Sequence, residues 1–399
     1  EGEAGQGQRQ CRVALGGHDG ERVVDLTPAG VPGTTRAADA AEVEAHRAVA
    51  DAGLRMQDID GLATANLDSA MWPLNIVEAL RLRPNYIEST NIGGSAFVSH
   101  LLPSMFALAS GQCNAVLVCY GNNQRTATFA RKERGRARMM LDPNPWEAPY
   151  APVNPPSSYA LIAARHMHQY GTTRRHLAEV AVAARKWAQR NPEAFARDPL
   201  SIEDVVKARM FSDPFSVHDC CLVTDGGAAF VMVRAERAKD LKKKPVYILG
   251  TATAATHRSV AEMPDCTVTP TALAAPRAYA MAGLGAKDMQ MAQIYDAFTI
   301  NTILALEDLG FCAKGEGGAF VQGGAIAPGG RLAVNTNGGG LSCVHPGMYG
   351  IFCLIEAVRQ LRGECGARQV AGAQTALVNG NGGTLSSQST AVLGTDLTL

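Results

Sequence analysis

The chain has 399 residues, 46% of them hydrophobic and 19% charged, the composition of a globular protein whose large core divides over two or three domains. Lys plus Arg and Asp plus Glu balance at 37 each, so no global field recruits nucleic acid or an anionic membrane. No apolar run approaches the ~20 residues of a membrane-spanning helix.

The opening EGEAGQGQRQ has neither an initiating Met nor an apolar h-region, and is expected to be a trimmed tail and not a secretory signal. Residues 11–26 (CRVALGGHDGERVVDL) read as a first strand and its turn, residues 35–53 as a helix, and residues 59–63 as a second strand. In ESTNIGGSAFVSHLLPSMFALASG a strand end meets a Gly93-Gly94 turn and then a helix containing Phe97, Leu101 and Phe106. Residues 115–119 form a short buried strand. Alternation of this kind predicts a parallel sheet with helices on its faces.

From residue 122 to about 216 the pattern changes. Arg125, Arg131, Lys132, Arg134, Arg136 and Arg138 form a basic run, DPNPWEAPYAPVNPPSS is rich in proline, and amphipathic helices follow near 159–170 and 176–190. This reads as an insertion over the sheet's edge, its basic run either a solvated surface or a cradle for ligand phosphates. Asp225-Gly226-Gly227-Ala228-Ala229 then leads into a strand at 230–233. His166, His168 and His218 have no readable partner and are left as core or surface histidines. The ten cysteines stand singly or as the pair Cys220-Cys221, without CxxC or a Cys/His cluster at metal-ligand spacing. Reduced thiols in a cytoplasmic protein are expected, with no metal site.

The second half repeats the first. Arg47-Ala48-x-Ala50-x-Ala52-Gly53-Leu54-x3-Asp58 is matched by Arg277-Ala278-x-Ala280-x-Ala282-Gly283-Leu284-x3-Asp288, and residues 115–118 before Gly121-Asn122 by residues 375–378 before Gly380-Asn381. The Gly93-Gly94-Ser95 turn has its counterpart in Gly338-Gly339-Gly340. Two copies of one α/β unit, residues 11–244 (with an inserted loop domain at about 122–216) and 245–399, are expected to pack sheet beside sheet, so that the loops at Gly93, Tyr295, His345 and Gly382 meet in one cleft.

The stretch NTNGGGLSCVHPGMYGIFCLIEAVRQLRG (335–363) is the focus of that cleft. Ile351, Leu354, Ile355, Val358 and Leu361 recur at helical spacing, which puts His345 and Tyr349 at a helix N-terminus. Such an end favours oxyanions and lowers the cost of ionising a phenol. The plain alternative is a glycine loop capping an amphipathic helix.

Together ADAGL and DIDGL near residue 50, LAEVAVAARKWAQRNPEA, VTDGGAAFVMV, YDAFTINTILALEDLGF, the GGG…HPG segment and GNGG at 380–383 resemble the thiolase superfamily, in particular sterol carrier protein x-type thiolases, over nearly the whole chain after residue 11. The resemblance implies a thiolase fold: α/β, with two repeated βαβαβ-type halves layered α-β-α-β-α. Thiolases hold an acyl group on a cysteine at the turn of the first repeat and use a second cysteine near the last glycine loop as acid and base. Here Gly94 or Ser95 stands at the first place, and Asn379 precedes the second loop. A glycine cannot attack and a serine needs a base.

Tyr295 stands where relatives carry Asn or His before an acidic-Ala-Phe motif, and the His345 loop adds Tyr349. This combination resembles the thiolase-like aldolases of bacterial steroid side-chain degradation. The resemblance implies retro-aldol cleavage of a β-hydroxyacyl-CoA to a ketone and a shorter acyl-CoA such as propionyl-CoA, with no cofactor beyond the CoA of the substrate. Tyr295 and Tyr349 would divide the proton transfers in either order, and His345 would polarise the thioester carbonyl. Backbone N–H groups around Gly94, Ser95, Gly382 and Gly383 would hold the enolate oxygen. A homodimer through the first-half sheet and a small acyl-CoA-binding partner with an OB-fold and zinc ribbon are implied too. Two rivals remain: a thiolase or acyltransferase using a displaced cysteine, Cys343 being nearest, and a non-catalytic acyl-CoA-binding subunit. Steroid, aromatic and branched thioesters all remain open as substrates.

Overall fold

The computed structural model describes residues 13–17, 37–67, 69, 71–127 and 145–399. Ten strands form one continuous sheet. They are β1 (Val13–Gly17), β2 (Gly61–Ala63), β3 (Tyr86–Glu88), β4 (Ala115–Asn122), β5 (Gly226–Arg234), β6 (Val246–Ala255), β7 (Met291–Ile294), β8 (Ala333–Val334), β9 (Thr375–Gly382) and β10 (Ser387–Gly394). Their order is β8-β7-β9-β10-β6-β1-β5-β4-β2-β3, so each group of five reads third, second, fourth, fifth, first.

In each group the second strand runs parallel to its neighbours, whereas the fifth is antiparallel to both of its own. The sheet is therefore mixed, where simple alternation predicts a parallel one. Between β9 and β10 the cause is length: residues 383–386 can close a hairpin but cannot make a crossover. Among the described residues the two groups touch strand to strand only where Ala14 faces Tyr247 and Leu15 faces Val246.

Helices separate them elsewhere. The longer ones are α1 (Ala37–Asp51), α2 (Trp72–Leu80), α3 (Ala96–Ser99) running into α4 (Leu101–Ala109), α5 (Pro156–Tyr170), α6 (Arg174–Ala188), α7 (Thr271–Ala282), α8 (Thr299–Asp308) and α9 (Gly350–Arg362). Helix α1 covers β4 and β5, and α7 covers β6 and β10, while α4 and α9 touch strands of both groups and must lie between them. This is the layered α-β-α-β-α arrangement. Its repeat is visible locally: α1 and α7 end at Gly53 and Gly283 in the left-handed region (φ 75° and 68°), each followed by a 3-10 turn, Met56–Asp58 or Ala286–Asp288.

The central position of α9 explains why it is buried on every side, although its apolar spacing alone describes an amphipathic helix. The polar face is neutralised internally. Glu356 accepts hydrogen bonds from Arg368 Nε and Nη2, both at 3.1 Å, and from the Thr336 hydroxyl at 2.6 Å. Glu356→Leu leaves Arg368 buried without its carboxylate and is expected to cost about 3–5 kcal/mol, read as a fall in chemical-denaturation stability. A change within about 1 kcal/mol would show that the pair is not a stabilising contact.

Among the described residues the insertion packs on the second half and not over the first sheet's edge. Its α6 packs on α8 and on the short helices Gly317–Val321 and Gly339–Ser342, because its buried face, including Leu177, Val180 and Trp187, finds apolar surface on the second half. From α5, His166 reaches Thr172 Oγ1 at 2.9 Å and Glu307 of α8 at 3.1 Å, so it is a partnered core histidine. His168 is exposed and His218 half-buried. Of the basic run, only Arg125 falls among the described residues, stacked over Phe195 at 4.9 Å.

Candidate active site

The loops at the strand ends converge on Tyr295. Its backbone N–H donates to Asn379 O at 2.9 Å, continuing the β7–β9 pairing, and its ring enters the interior with 5% of its surface exposed. Its hydroxyl lies 2.8 Å from His345 Nε2 and donates to Gly347 O at 3.0 Å. The His345 loop is held from the first half: His345 N–H donates to Thr224 Oγ1 at 3.0 Å, and the Tyr120 hydroxyl donates to Pro346 O at 2.6 Å. One half thus supplies the phenol and imidazole while the other fixes the loop between them.

Tyr349 is the N-cap of α9, but His345 lies in the loop ahead of it and not at a helix N-terminus. The HPG turn and Met348 intervene, so helical spacing could place only the tyrosine. The Tyr349 ring meets Tyr295 edge-on at 5.5 Å and Phe352 face-on at 5.6 Å. Its hydroxyl donates to Asn337 Oδ1 at 3.0 Å.

Gly94 is adjacent, and its lack of a side chain is structural. A Cβ there would lie 2.0 Å from Tyr295 Cε1 and 2.8 Å from Asn381 O. The ring fills the space that a side chain at 94 would need. Ser95 begins α3 without capping it, and its hydroxyl lies 2.7 Å from Ser387 Oγ and 3.2 Å from Ile92 O, with no base among those partners. Gly382 packs so closely that an added Cβ would fall 1.9 Å from Ile92 O, and one on Gly93 would fall 2.7 Å from Gly383 N. The two glycine turns therefore touch through backbone.

Burial sets the protonation states. It raises the Tyr295 phenol well above its ordinary value of 10 and lowers the His345 imidazole to about 4, so a neutral phenol faces a neutral imidazole at pH 7. Burial also raises Asp296, the next residue, to about 7. One Asp296 oxygen accepts the Gly340 N–H at 2.6 Å, while Oδ2 is buried without a hydrogen-bond partner among the described residues.

Between its ordinary value of 3.8 and about 7, Asp296 binds its proton more firmly in the folded chain than in the unfolded one. It therefore makes stability decline as pH rises through that window. Asp296→Asn cannot ionise, so its melting temperature relative to wild type is expected to rise between about pH 4 and 7 and to level off above that. Parallel profiles for the two proteins would refute the assignment.

Asn337, Asp296 and Tyr159, the last contributed by the insertion, belong to this region but were not singled out by sequence. Asn337 lies inside the 335–363 stretch and Asp296 beside Tyr295, so position carried a signal for both. For Tyr159, which joins only through tertiary packing, none existed. Cys343 is fully buried, its sulfur taking a hydrogen bond from Asn191 Nδ2 at 3.6 Å. Among the described residues no group of three His, Cys, Asp or Glu gathers to hold a metal ion.

The family model described as "Thiolase C-terminal domain-like" matches residues 252–395. The 17-hydroxy-3-oxo-4-pregnene-20-carboxyl-CoA lyase of Mycobacterium tuberculosis is 35% identical over 347 residues, covering 84% of this chain and 89% of the relative. The chain belongs to the thiolase superfamily. An acetyl-CoA acetyltransferase of Methanothermobacter thermautotrophicus is 34% identical over 360 residues, with the same coverages of 84% and 89%. Among solved structures, the Ltp2-ChsH2(DUF35) aldolase superposes with a TM-score of 0.82 at 30% identity, covering 97% of this chain and 98% of that one. The superfamily's architecture is present throughout, with tyrosine and glycine at the positions discussed above.

Proposed function

We propose that this thiolase-superfamily member is a carbon–carbon lyase that cleaves a β-hydroxyacyl-CoA by a retro-aldol reaction. The observation that carries this reading is the Tyr295 ring filling the space beside Gly94 while its hydroxyl bonds His345. A cysteine nucleophile has no room there, and a proton-exchanging pair stands in its place.

Tyr295 takes the β-hydroxyl proton as its own hydroxyl hydrogen, which rests on Gly347 O, turns toward the Nε2 lone pair of the Nδ1-protonated tautomer of His345. Burial keeps His345 neutral and so free to accept, but it also lowers the imidazole's basicity, so the proton moves onto Nε2 only in concert with cleavage of the carbon–carbon bond. Its Nε2 faces Tyr295, which supports a relay better than direct polarisation of the thioester carbonyl. As the Cα–Cβ bond breaks in that step, the β-carbon becomes a ketone, and the electron pair moves onto the thioester as an enolate. Backbone N–H groups of the Gly94–Ser95 and Gly382–Gly383 turns hold that oxygen. Tyr349 protonates the α-carbon, completing the shorter acyl-CoA such as propionyl-CoA. After product release the proton gained by the Tyr295–His345 pair is returned to Tyr349 through solvent, so the net transfer is from the β-oxygen to the α-carbon. Every proton comes from the chain or substrate, so no cofactor is used beyond the substrate's CoA.

The steroid acyl-CoA lyase and aldolase names among similar proteins favour a steroid side-chain thioester over aromatic or branched ones. The Ltp2-ChsH2(DUF35) aldolase supports a DUF35 partner here, where the family resemblance implies a small OB-fold and zinc-ribbon protein, and β3 with its exposed Ile87 leaves an edge open for the homodimer through the first-half sheet. The nine free cysteines among the described residues suit the reducing cytoplasm. Among those residues no helix is long and apolar enough to cross a membrane.

The test is incubation with a panel of β-hydroxyacyl-CoAs, with and without a partner of that type, followed by analysis for ketone and shortened acyl-CoA. Protein acylated on a side chain during turnover, Cys343 included, would replace this reading with the acyltransferase one.

A further inference from the structure

A run of hydrogen bonds crosses the buried face of β9 and β10, with every donor pointing the same way. The Thr390 hydroxyl donates to Asn379 Oδ1 at 2.9 Å, and the Asn379 amide to Gln388 Oε1 at 3.1 Å. The Gln388 amide donates to Asn381 Oδ1 at 2.8 Å, the Asn381 amide to the Tyr159 hydroxyl at 2.8 Å, and that hydroxyl to Gly383 O at 2.8 Å. Cross-strand register produces the first part, since Asn379 faces Thr390 and Asn381 faces Gln388. All five side chains are buried, and linked donors in a low dielectric polarise one another.

Tyr159 ends the run. Besides donating to Gly383, its oxygen accepts the Leu385 N–H at 3.3 Å, so one atom ties together both sides of the 383–386 turn. Its ring stacks on Phe298 at 4.5 Å, which fixes where that atom sits. Burial raises its phenol to about 12, keeping it a protonated donor. The network also borders Tyr295: Asn379, Asn381, Gln388 and Asn301 line with it a cavity of about 10 Å³.

We propose that Tyr159, brought in by the inserted helix α5, is a positioning residue for the cleavage step, holding the Gly382–Leu385 turn against Gly93 so that its backbone donors meet the thioester oxygen. This rests on the retro-aldol reading above. A turn displaced by about an ångström can cost two orders of magnitude in rate without weakening ground-state binding to the same degree.

The test compares Tyr159→Phe, which keeps the ring stack and deletes the oxygen, with wild type in the full chain and any required partner. Two quantities are read: kcat and KM for β-hydroxyacyl-CoA cleavage, and hydrogen exchange at the Leu385 amide. The expected result is a kcat lower by about ten- to a hundredfold with KM within about threefold, and Leu385 exchange faster by at least about tenfold. Gln388→Met interrupts the run upstream and serves if Tyr159→Phe does not fold; it should give the same pattern, weaker. An unchanged kcat, unchanged Leu385 exchange, or a loss carried only in KM overturns the proposal. A wild-type protein that cleaves nothing refutes the retro-aldol reading instead, and Leu385 exchange then still decides whether Tyr159 holds the turn.

Discussion

Tyr295→Phe is expected to lower kcat/KM for β-hydroxyacyl-CoA cleavage by about three orders of magnitude, within the range for loss of a positioned acid or base. The ring stays, so Gly94 still meets a filled space. What disappears is the oxygen between His345 Nε2 and Gly347 O, a stability loss of about 1–2 kcal/mol. Activity should therefore collapse while the thermal transition moves by only a few degrees. Tyr295→Phe with wild-type turnover would end the relay.

The same pair sets a pH expectation. The imidazole at about 4 remains neutral well below the pH at which an exposed histidine protonates, so kcat/KM should hold down to about pH 5 and fall only as pH approaches 4. Stability changes in the same direction. As pH drops from 6.5 toward about 4 the unfolded chain takes up a proton that folded His345 refuses, and the folded state is progressively disfavoured.

Gly94→Cys restores the residue type that a thiolase would use and is expected to abolish cleavage without producing an acyl-enzyme. The new Cβ would stand 2.0 Å from Tyr295 Cε1 and 2.8 Å from Asn381 O. Ring and strand cannot both yield, because Tyr295 is anchored through its backbone and hydroxyl and Asn381 is paired within β9 and β10. Overpacking of this kind costs about 3 kcal/mol. Combining Gly94→Cys with Tyr295→Asn should return most of that stability, since the two sites share one volume. Additive losses, measured by denaturant unfolding of the four proteins of the cycle, would show that the exclusion is not steric. A thioester on the introduced thiol of the Gly94→Cys single variant would contradict the geometry outright.

Local pattern carried much of the architecture. The helix-to-strand junctions at Gly53 and Gly283, the strand at 115–118 and the helix after Tyr349 depend on nearby residues and on backbone preferences that hold in any context. For that reason the repeat was legible, and with it the meeting of the Gly93, Tyr295, His345 and Gly382 loops. Tyr349 at a helix start could be read from apolar spacing, whereas His345, separated from that helix by the HPG turn, could not.

Long-range packing decided the rest. Mixed strand direction, total burial of α9 and the seat of the insertion on the second half depend on which distant surfaces remain to be covered, and no window of sequence contains that information. Tyr159 joins the Gly383 turn from far upstream, and Gly94 reads as an ordinary turn glycine until the Tyr295 ring is seen in the place of its missing side chain. The resemblance of its motifs to the thiolase superfamily implied the thiolase fold, and the residues at the turn showed the chain to be without the thiolase cysteine. Only the tertiary structure settled that the vacated volume belongs to a phenol, because two residues can exclude each other only once the fold has brought them into contact.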